Sequence, residues 1–451
     1  MDSLRLASSG IRGFVGTSLT PKAVIDFANA FGTYLDGGRV LIARDTRYSS
    51  PTIHAAVLSS LLSVGCEVLD FGICPTPVVQ YSVRPYEAAG ALSISGGHNG
   101  MGWNAITLID NQGAVLEPIS GECVLDIFHA GDFRRCDWNN IGKVSTVDNF
   151  FDPYLDSLEQ HVDAEAIRKA EFTVLIDPLG GAGCSYIEPF AQRFGLKLIP
   201  VNAKPSGYLA REAEPRPRSA LQMADIIGHL KGSVGFLHSS DLGRTSLVTE
   251  TGEPASEEYT FAIIANHLLT RKPGVLVTNP CTTRTIDDIA SRCEASVIKV
   301  NLGQPNVVSA LIDEQGVIGG EGSGSVAVPT FSRAYDGFLV MAFILEAMAQ
   351  TGEPLSSLLD ALPRYHIVKK NKVCGSRRAY HELEQLKEGF SEEKDVKISL
   401  TDGIRVDWQN SWIHARPSST QQAMRIISEA VTKEEAIARS EQVIRMLKHR
   451  G

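Results

Sequence analysis

Val40-Leu41-Ile42-Ala43-Arg44-Asp45-Thr46-Arg47 begins as an unbroken branched apolar run and stops abruptly in a charged loop. A strand buried on both faces reads this way, and the polar end is where a parallel strand hands over to a helix. The same grammar returns twice. Val174-Leu175-Ile176 leads into Asp177-Pro178-Leu179-Gly180-Gly181, and Val275-Leu276-Val277 leads into Thr278-Asn279-Pro280-Cys281-Thr282. The copies begin at residues 40, 174 and 275, intervals far beyond the roughly 20–50-residue period of a solenoid. For a chain of 451 residues, at about 150 residues per domain, the pattern implies three successive α/β domains.

Helices are expected between these strands. Thr20 and Pro21 provide a cap and a preset first-turn φ for a helix over 22–35, and Ser50-Pro51 repeats the device before a helix over 52–64. Gly195 is placed to end the helix that follows the second strand. After about residue 370 the texture changes. Short alternating strands are expected over 396–400, 403–407 and 412–416, and a charged helix over 433–448, which together make a smaller α+β domain. Lys369-Lys370-Asn371-Lys372 reads as a solvated hinge before it. The expected domains are 1–150, 151–255, 256–368 and 369–451.

Composition narrows the function. Hydrophobic residues make up 43% and charged residues 21%, ordinary for a soluble globular protein. A net charge of −9 argues against a nucleic-acid surface. The 8 cysteines contain no Cys-x-x-Cys pair, which fits reduced thiols in the cytoplasm better than a zinc site or a disulfide framework. The N-terminus lacks the apolar core of a secretory signal. The apolar stretch 337–348 carries Glu346 and is too short to cross a bilayer, so it reads as a buried helix and no membrane partner is expected.

Four loops could carry chemistry. Gly319-Gly320-Glu321-Gly322-Ser323-Gly324-Ser325 allows close backbone approach and offers Glu321 and Ser323 to sugar hydroxyls; it reads equally as a flexible turn. Arg416-Pro417-Ser418-Ser419-Thr420 sets a guanidinium before three hydroxyls, suited to phosphate or simply a polar hairpin turn. Ser93-Ile94-Ser95-Gly96-Gly97-His98-Asn99-Gly100 closes a strand in small residues, although a lone His98 is more often structural. In His238-Ser239-Ser240-Asp241-Leu242-Gly243-Arg244 a single carboxylate could share Mg²⁺ with phosphate oxygens but could not cage it.

In this order the loops resemble the α-D-phosphohexomutase superfamily, which includes phosphoglucomutase, phosphomannomutase and phosphoglucosamine mutase. Ser8-Ser9-Gly10-Ile11-Arg12-Gly13 looks like the family's Thr-Ser-Gly-Ile-Arg-Gly, and Arg44-Asp45-Thr46-Arg47 matches its Arg-Asp-Thr-Arg. Pro75-Thr76-Pro77 matches its Pro-Thr-Pro turn, and Asp177 to Gly183 resembles its Asp-x-x-x-Gly-Ala-Gly. The resemblance identifies the 319–325 stretch as a sugar loop and 416–420 as a phosphate loop. It implies three mixed-sheet α/β domains plus a C-terminal α+β domain around one central cleft.

Three departures fall at the phosphoryl-transfer end. The family's Thr-Ala-Ser-His-Asn-Pro, aligned on His98-Asn99, puts Gly97 where the phosphoserine should be, and covalent catalysis needs a nucleophile. Its Asp-Gly-Asp-x-Asp-Arg metal loop, aligned on Arg244, retains Asp241 alone, with Ser239 and Gly243 in place of the other two carboxylates. Its Tyr-Asn-Gly-x-Lys becomes Trp103-Asn104-Ala105-Ile106-Thr107, and threonine cannot serve as the general acid/base near neutral pH.

With these departures the resemblance implies a protein that binds a phosphosugar, or a related phosphorylated ligand, without normal mutase turnover. Arg416, Ser418, Ser419 and Thr420 would hold phosphate, and Glu321 and Ser323 would read the sugar. Arg12, Asn99 and Arg244 would line the cleft. No cofactor is expected, with Mg²⁺ conceivable only at Asp241. Two alternatives stay open: a phosphoryl-transfer enzyme that uses Ser95 or His98, and a non-catalytic subunit with a protein partner or in a homo-oligomer.

Overall fold

The computed structural model describes residues 4–230, 232–418 and 423–447. Two compact units account for the chain: residues 1–264 with 318–359, and residues 265–317 with 360–451. All three repeated apolar runs are strands, Arg39–Arg44, Thr173–Asp177 and Val275–Thr278.

In the first unit Arg39–Arg44 sits inside a seven-stranded mixed sheet. It pairs in parallel with Glu67–Ile73 and with Gly90–Ile94. Gly90–Ile94 pairs antiparallel with Trp103–Ile109, which in turn pairs with Gly10–Phe14. Val40, Ile42, Leu92 and Ile94 are closed over by Phe27, Phe31, Val57 and Leu61 from two helices, so burial on both faces explains the missing polar alternation. The helix Pro21–Tyr34 begins as expected, with the Thr20 side chain accepting from the Ala23 N–H. The second device differs. Helix Ser50–Ser63 takes Ser50 inside its first turn and has no side-chain cap; the Ser50 hydroxyl instead donates to the Asp45 carboxylate at 2.5 Å.

A four-stranded sheet follows in the order Thr245–Val248, Ser233–His238, Thr173–Asp177, Lys197–Pro200. Gly195, at φ +65°, ends the helix Ile187–Arg193 in the left-handed region that glycine enters cheaply. Ile318–Glu321 and Ser325–Ala327 form an antiparallel hairpin. Helix Gly337–Thr351 is buried from Gly337 to Met348, as its composition requires. Its Glu346 accepts from the Asp163 N–H at 2.8 Å. Among the described residues no helix is long and apolar enough to cross a membrane.

The second unit pairs Val275–Thr278 with Ser296–Lys299 in parallel. It also carries a five-stranded antiparallel sheet in the order His366–Val373, Ala423–Ala430, Ser411–Pro417, Ile404–Asp407, Lys397–Ser399. Helices Ser376–Ser391 and Lys433–Met446 cover its apolar face, where Leu386, Phe390 and Val443 meet Ile404, Ile413 and Ile426. The chain is thus three α/β domains and a C-terminal α+β domain. The expected hinge at 369–372 is instead part of a strand paired with Ala423–Ala430 along its whole length. It is an edge strand whose polar side chains alternate outward, and Lys372 turns back to the buried Glu382 at 2.7 Å.

Candidate functional site

The carboxyl end of strand Arg39–Arg44 delivers Asp45 into the interior, and Asp45 organises everything around it. Its carboxylate accepts from the backbone and Nε of Arg47 at 3.0 and 3.1 Å. It also accepts from the hydroxyls of Ser50 at 2.5 Å, Ser95 at 2.7 Å and Ser240 at 3.2 Å. The ion pair is fully buried, with side-chain exposures of 1% for Arg47 and 0% for Asp45. Such a pair survives only when its remaining hydrogen-bonding capacity is met.

Arg47 meets that condition by clamping the following loop. Nη1 donates to the carbonyls of Gly100 and Trp103 at 2.7 and 3.2 Å, and Nη2 to those of Gly97 and Asn99 at 3.0 and 2.6 Å. The loop passes so close that a Cβ on Gly96 would lie 2.3 Å from the guanidinium carbon. Asn99 is committed to the same turn, donating from Nδ2 to the Gly96 carbonyl at 2.8 Å. Ser95 is held from both sides, since its hydroxyl donates to Asp45 and accepts from the Gly97 N–H at 3.1 Å.

Gly97 adopts φ +53°, and a Cβ there would lie 3.0 Å from a carboxylate oxygen of Asp241. The Ser240 hydroxyl lies 2.9 Å from the Gly97 carbonyl and so ties the two loops together. The Thr46 hydroxyl donates to the Gly180 carbonyl at 2.5 Å and fixes a further loop to the same place. A cavity of about 250 Å³ opens between them, lined among others by Arg5, Arg12, His98, Thr107 and Asp241.

The residues present could not cage Mg²⁺ by themselves. One Asp241 oxygen already accepts from the Ser239 hydroxyl at 2.6 Å and from the Gly243 N–H at 3.1 Å. Among the described residues no group of three or more His, Cys, Asp or Glu could hold a metal. A lone carboxylate with a serine and a glycine beside it could hold the ion only together with phosphate oxygens and water.

Glu321 and Ser323 lie on the hairpin, which is fastened to the loop around Asp241. Ser325 donates from its hydroxyl to the Gly243 carbonyl at 3.2 Å, and the Thr245 N–H donates to the Gly324 carbonyl at 2.9 Å. Gly324 must be glycine: its φ is +77°, and a Cβ would lie 2.0 Å from the Thr245 carbonyl oxygen. Arg244 is anchored to Glu214 at 2.7 Å. Tyr335 is buried beside this cluster, and its hydroxyl has no hydrogen-bond partner. Burial pushes the phenol well above its ordinary pKa; the Glu321 carboxylate adds to the rise and the Arg244 guanidinium opposes it.

Arg416 and Ser418 belong to the second unit, while Ser419 and Thr420 lie outside the described residues. Arg416 is the last residue but one of the strand Ser411–Pro417, and its Nε is buried without a hydrogen-bond partner among the described residues. The Ser418 N–H donates to the Ala423 carbonyl at 2.8 Å. Within the same unit Cys281 Sγ lies 3.1 Å from His414 Nδ1.

Arg12, Ser95, Gly97, His98, Asn99 and Asp241 therefore line one cavity. Sequence reasoning assigned no role to Asp45, Arg47, Ser240 or Tyr335. The first two sat inside the Arg44-Asp45-Thr46-Arg47 motif, and that motif was their only signal. Tyr335 left no trace, because an unpartnered hydroxyl is a property of packing.

The sequence matches phosphoglucomutase/phosphomannomutase α/β/α domain I over residues 5–135, domain II over 152–252 and domain III over 256–365. It is 35% identical over 435 residues to a phosphoglucomutase/phosphomannomutase of Thermococcus kodakarensis, covering 95% of this chain and 94% of that one. A "Probable phosphoglucosamine mutase" of Pyrococcus abyssi is 33% identical, with coverage of 98% and 97%. Among solved structures, a phosphoglucomutase/phosphomannomutase family protein from Burkholderia thailandensis superposes with a TM-score of 0.85 at 20% identity, covering 98% of this chain and 97% of that one. An Aspergillus fumigatus N-acetylphosphoglucosamine mutase in complex with GlcNAc-6P and magnesium superposes with a TM-score of 0.59 at 11% identity, covering 95% and 99%. Domain matches across most of the chain, together with relatives aligned nearly end to end, show that this chain belongs to the phosphoglucomutase/phosphomannomutase family.

Proposed function

We propose that the chain binds a phosphosugar without running a phosphoserine mutase cycle. Gly97 is the observation that supports this most directly. It sits at the phosphoserine position of the family motif, faces Asp241, and carries no atom that could accept a phosphoryl group. The loss is local, because the loop around it is held by Arg47, Asp45 and Ser240 as firmly as any working site requires.

Each remaining group has a part in binding. Arg5 and Arg12 bring positive charge to the cavity at Gly97, which His98 also lines. Glu321 and Ser323 read sugar hydroxyls, with the Tyr335 hydroxyl available beside them. Arg416 holds phosphate through charge-assisted bonds. The ligand class is the one the Aspergillus relative holds, a hexose phosphate. No step is routed through Mg²⁺, which Asp241 could share only with phosphate oxygens of a ligand. The 8 cysteines, all unpaired, suit a reducing compartment, and we place the protein in the cytoplasm.

Thermal-shift and calorimetric titration with glucose, mannose and glucosamine 6-phosphates test the reading, alongside a 1-phosphate to 6-phosphate interconversion assay. Stabilisation by at least one sugar phosphate without turnover is expected. Intact mass after incubation with glucose 1,6-bisphosphate should show no added phosphate. Turnover, or phosphate mapped to Ser95 or His98, overturns the non-catalytic part; no stabilisation by any sugar phosphate overturns the binding part.

A further inference from the structure

Away from Gly97 the first unit holds a second polar cavity of about 410 Å³. It opens beside the end of helix Thr76–Ser82, the helix Phe151–Glu159 and the segment 329–333. Among the described residues no acidic side chain lines it, yet Arg84 and Arg333 do. In a chain of net charge −9, two guanidiniums around a hollow without a carboxylate make a local positive field. Arg84 is exposed and forms no ion pair among the described residues. Arg333 also acts on Asp110, but that carboxylate is already engaged by the N–H groups of Gln112 and Ala114 at 2.8 and 2.9 Å.

Ser332 supplies the second, independent observation. The residue is 6% exposed and lines the cavity, and its hydroxyl is buried with no hydrogen-bond partner. A buried hydroxyl left unsatisfied costs roughly 1–3 kcal/mol, and such a group is explained most simply by a ligand that completes it. Part of the lining is aromatic: Tyr81 stacks on Phe331 with centroids 5.4 Å apart and planes at 22°. The lining thus combines hydrogen-bond donors with a flat apolar surface. The volume exceeds what a bare oxyanion fills and falls within the range of about 300–1,000 Å³ seen for small-molecule sites.

We propose that this cavity is a second anion site, separate from the phosphosugar site, that takes a phosphorylated small molecule. Arg84 and Arg333 hold the phosphate from two chain segments, the Ser332 hydroxyl donates to it, and the organic body lies against the Tyr81–Phe331 wall. A ligand there would join three segments distant in sequence and stabilise the first unit by mass action.

Phenylglyoxal modification of the intact chain, followed by peptide mapping, reads each arginine separately. Inorganic phosphate and phenyl phosphate serve as probes. Both should slow modification of Arg84 and Arg333 by about fivefold or more, phenyl phosphate at the lower concentration because the ring wall adds contact. Unchanged rates at Arg84 and Arg333 overturn the proposal, whatever happens at Arg416, which reports the phosphosugar site independently. As a second measurement, Ser332→Ala removes the unsatisfied hydroxyl without adding bulk, so it should fold and yet weaken protection of both arginines. Protection identical to that of the native chain would remove Ser332 from the site and overturn the assignment.

Discussion

A side chain placed on Gly97 would put its Cβ 3.0 Å from an Asp241 carboxylate oxygen. The two positions that the resemblance matches to the family's phosphoserine and metal loop are therefore neighbours. Restoring the hydroxyl alone meets two obstacles. A non-glycine residue at φ +53° costs roughly 1–2 kcal/mol, and a phosphoryl group placed on its oxygen would be repelled by the Asp241 carboxylate. Gly97→Ser should lower stability by about 1 kcal/mol and remain unphosphorylated after incubation with glucose 1,6-bisphosphate. Urea denaturation and intact mass check both halves.

Arg47 is expected to be the costliest single substitution in this region. Arg47→Ala leaves the Asp45 carboxylate buried without its counter-charge and releases four loop carbonyls. Breaking a buried pair in this way costs about 3–5 kcal/mol. Lysine should rescue little, because one ammonium cannot span four carbonyls and a carboxylate as the planar fork does. Denaturant midpoints of Arg47→Ala and Arg47→Lys measure this directly; a loss below about 1 kcal/mol in both would show that the clamp is ornamental.

The same motif shows how far sequence reasoning reached. The three apolar runs were legible as strands because burial on both faces removes polar alternation, a signal that needs no partner information. Ser50 was misplaced because Ser-Pro before a helix reads as a cap. Here its hydroxyl is drawn inward by Asp45, a partner that chain spacing cannot reveal. Lys369 to Lys372 looked solvated because an edge strand exposes alternate polar residues, much as a loop does. At the site, glycines and lost carboxylates could be read residue by residue. Tyr335 could not, since its role depends on Glu321 and Arg244 meeting it in space.

Tyr335→Phe separates binding from folding. The native hydroxyl has no partner among the described residues, so its removal should leave stability unchanged or slightly raised. If the hydroxyl contacts the sugar, affinity for the preferred hexose phosphate should fall by about 1 kcal/mol, roughly fivefold. Calorimetry on the two proteins decides it. Equal dissociation constants would take Tyr335 out of the sugar subsite.

Arg416→Ala should act on binding in the same manner but more strongly. A charged hydrogen-bond partner is worth about 1.5–3 kcal/mol, and the Arg416 Nε is already buried without a partner. The loss should fall equally on different hexose phosphates, because the guanidinium reads the phosphate and not the ring. A loss confined to one sugar would place Arg416 against the sugar instead.

Stability should fall on mild acidification, with two histidines and one aspartate pulling in opposite directions. Burial first, and then the charge of Arg211, pushes the His238 ring down from 6.5 to about 3, while its contact with the Arg244 backbone opposes this. A base whose folded value is depressed contributes stability in full above its unfolded value and loses it as pH falls toward the folded one. For His238 that window runs from 6.5 down to about 3. Burial raises Asp336 from 3.8 to about 6, against the hydrogen bonds it accepts from Tyr154, Leu339 and Phe338. An acid with a raised folded value contributes stability below its unfolded value and loses it as pH rises through the folded one. Asp336 therefore offsets His238 between about 4 and 6. His414, also lowered to about 3, adds to the side of His238, so the histidines prevail. Each group moves stability by up to about 1.4 kcal/mol per pH unit within its window. His238→Gln should flatten the fall in urea midpoint between about pH 6.5 and pH 4, and Asp336→Asn should steepen it. Parallel curves for all three proteins would show that neither group titrates as its burial requires.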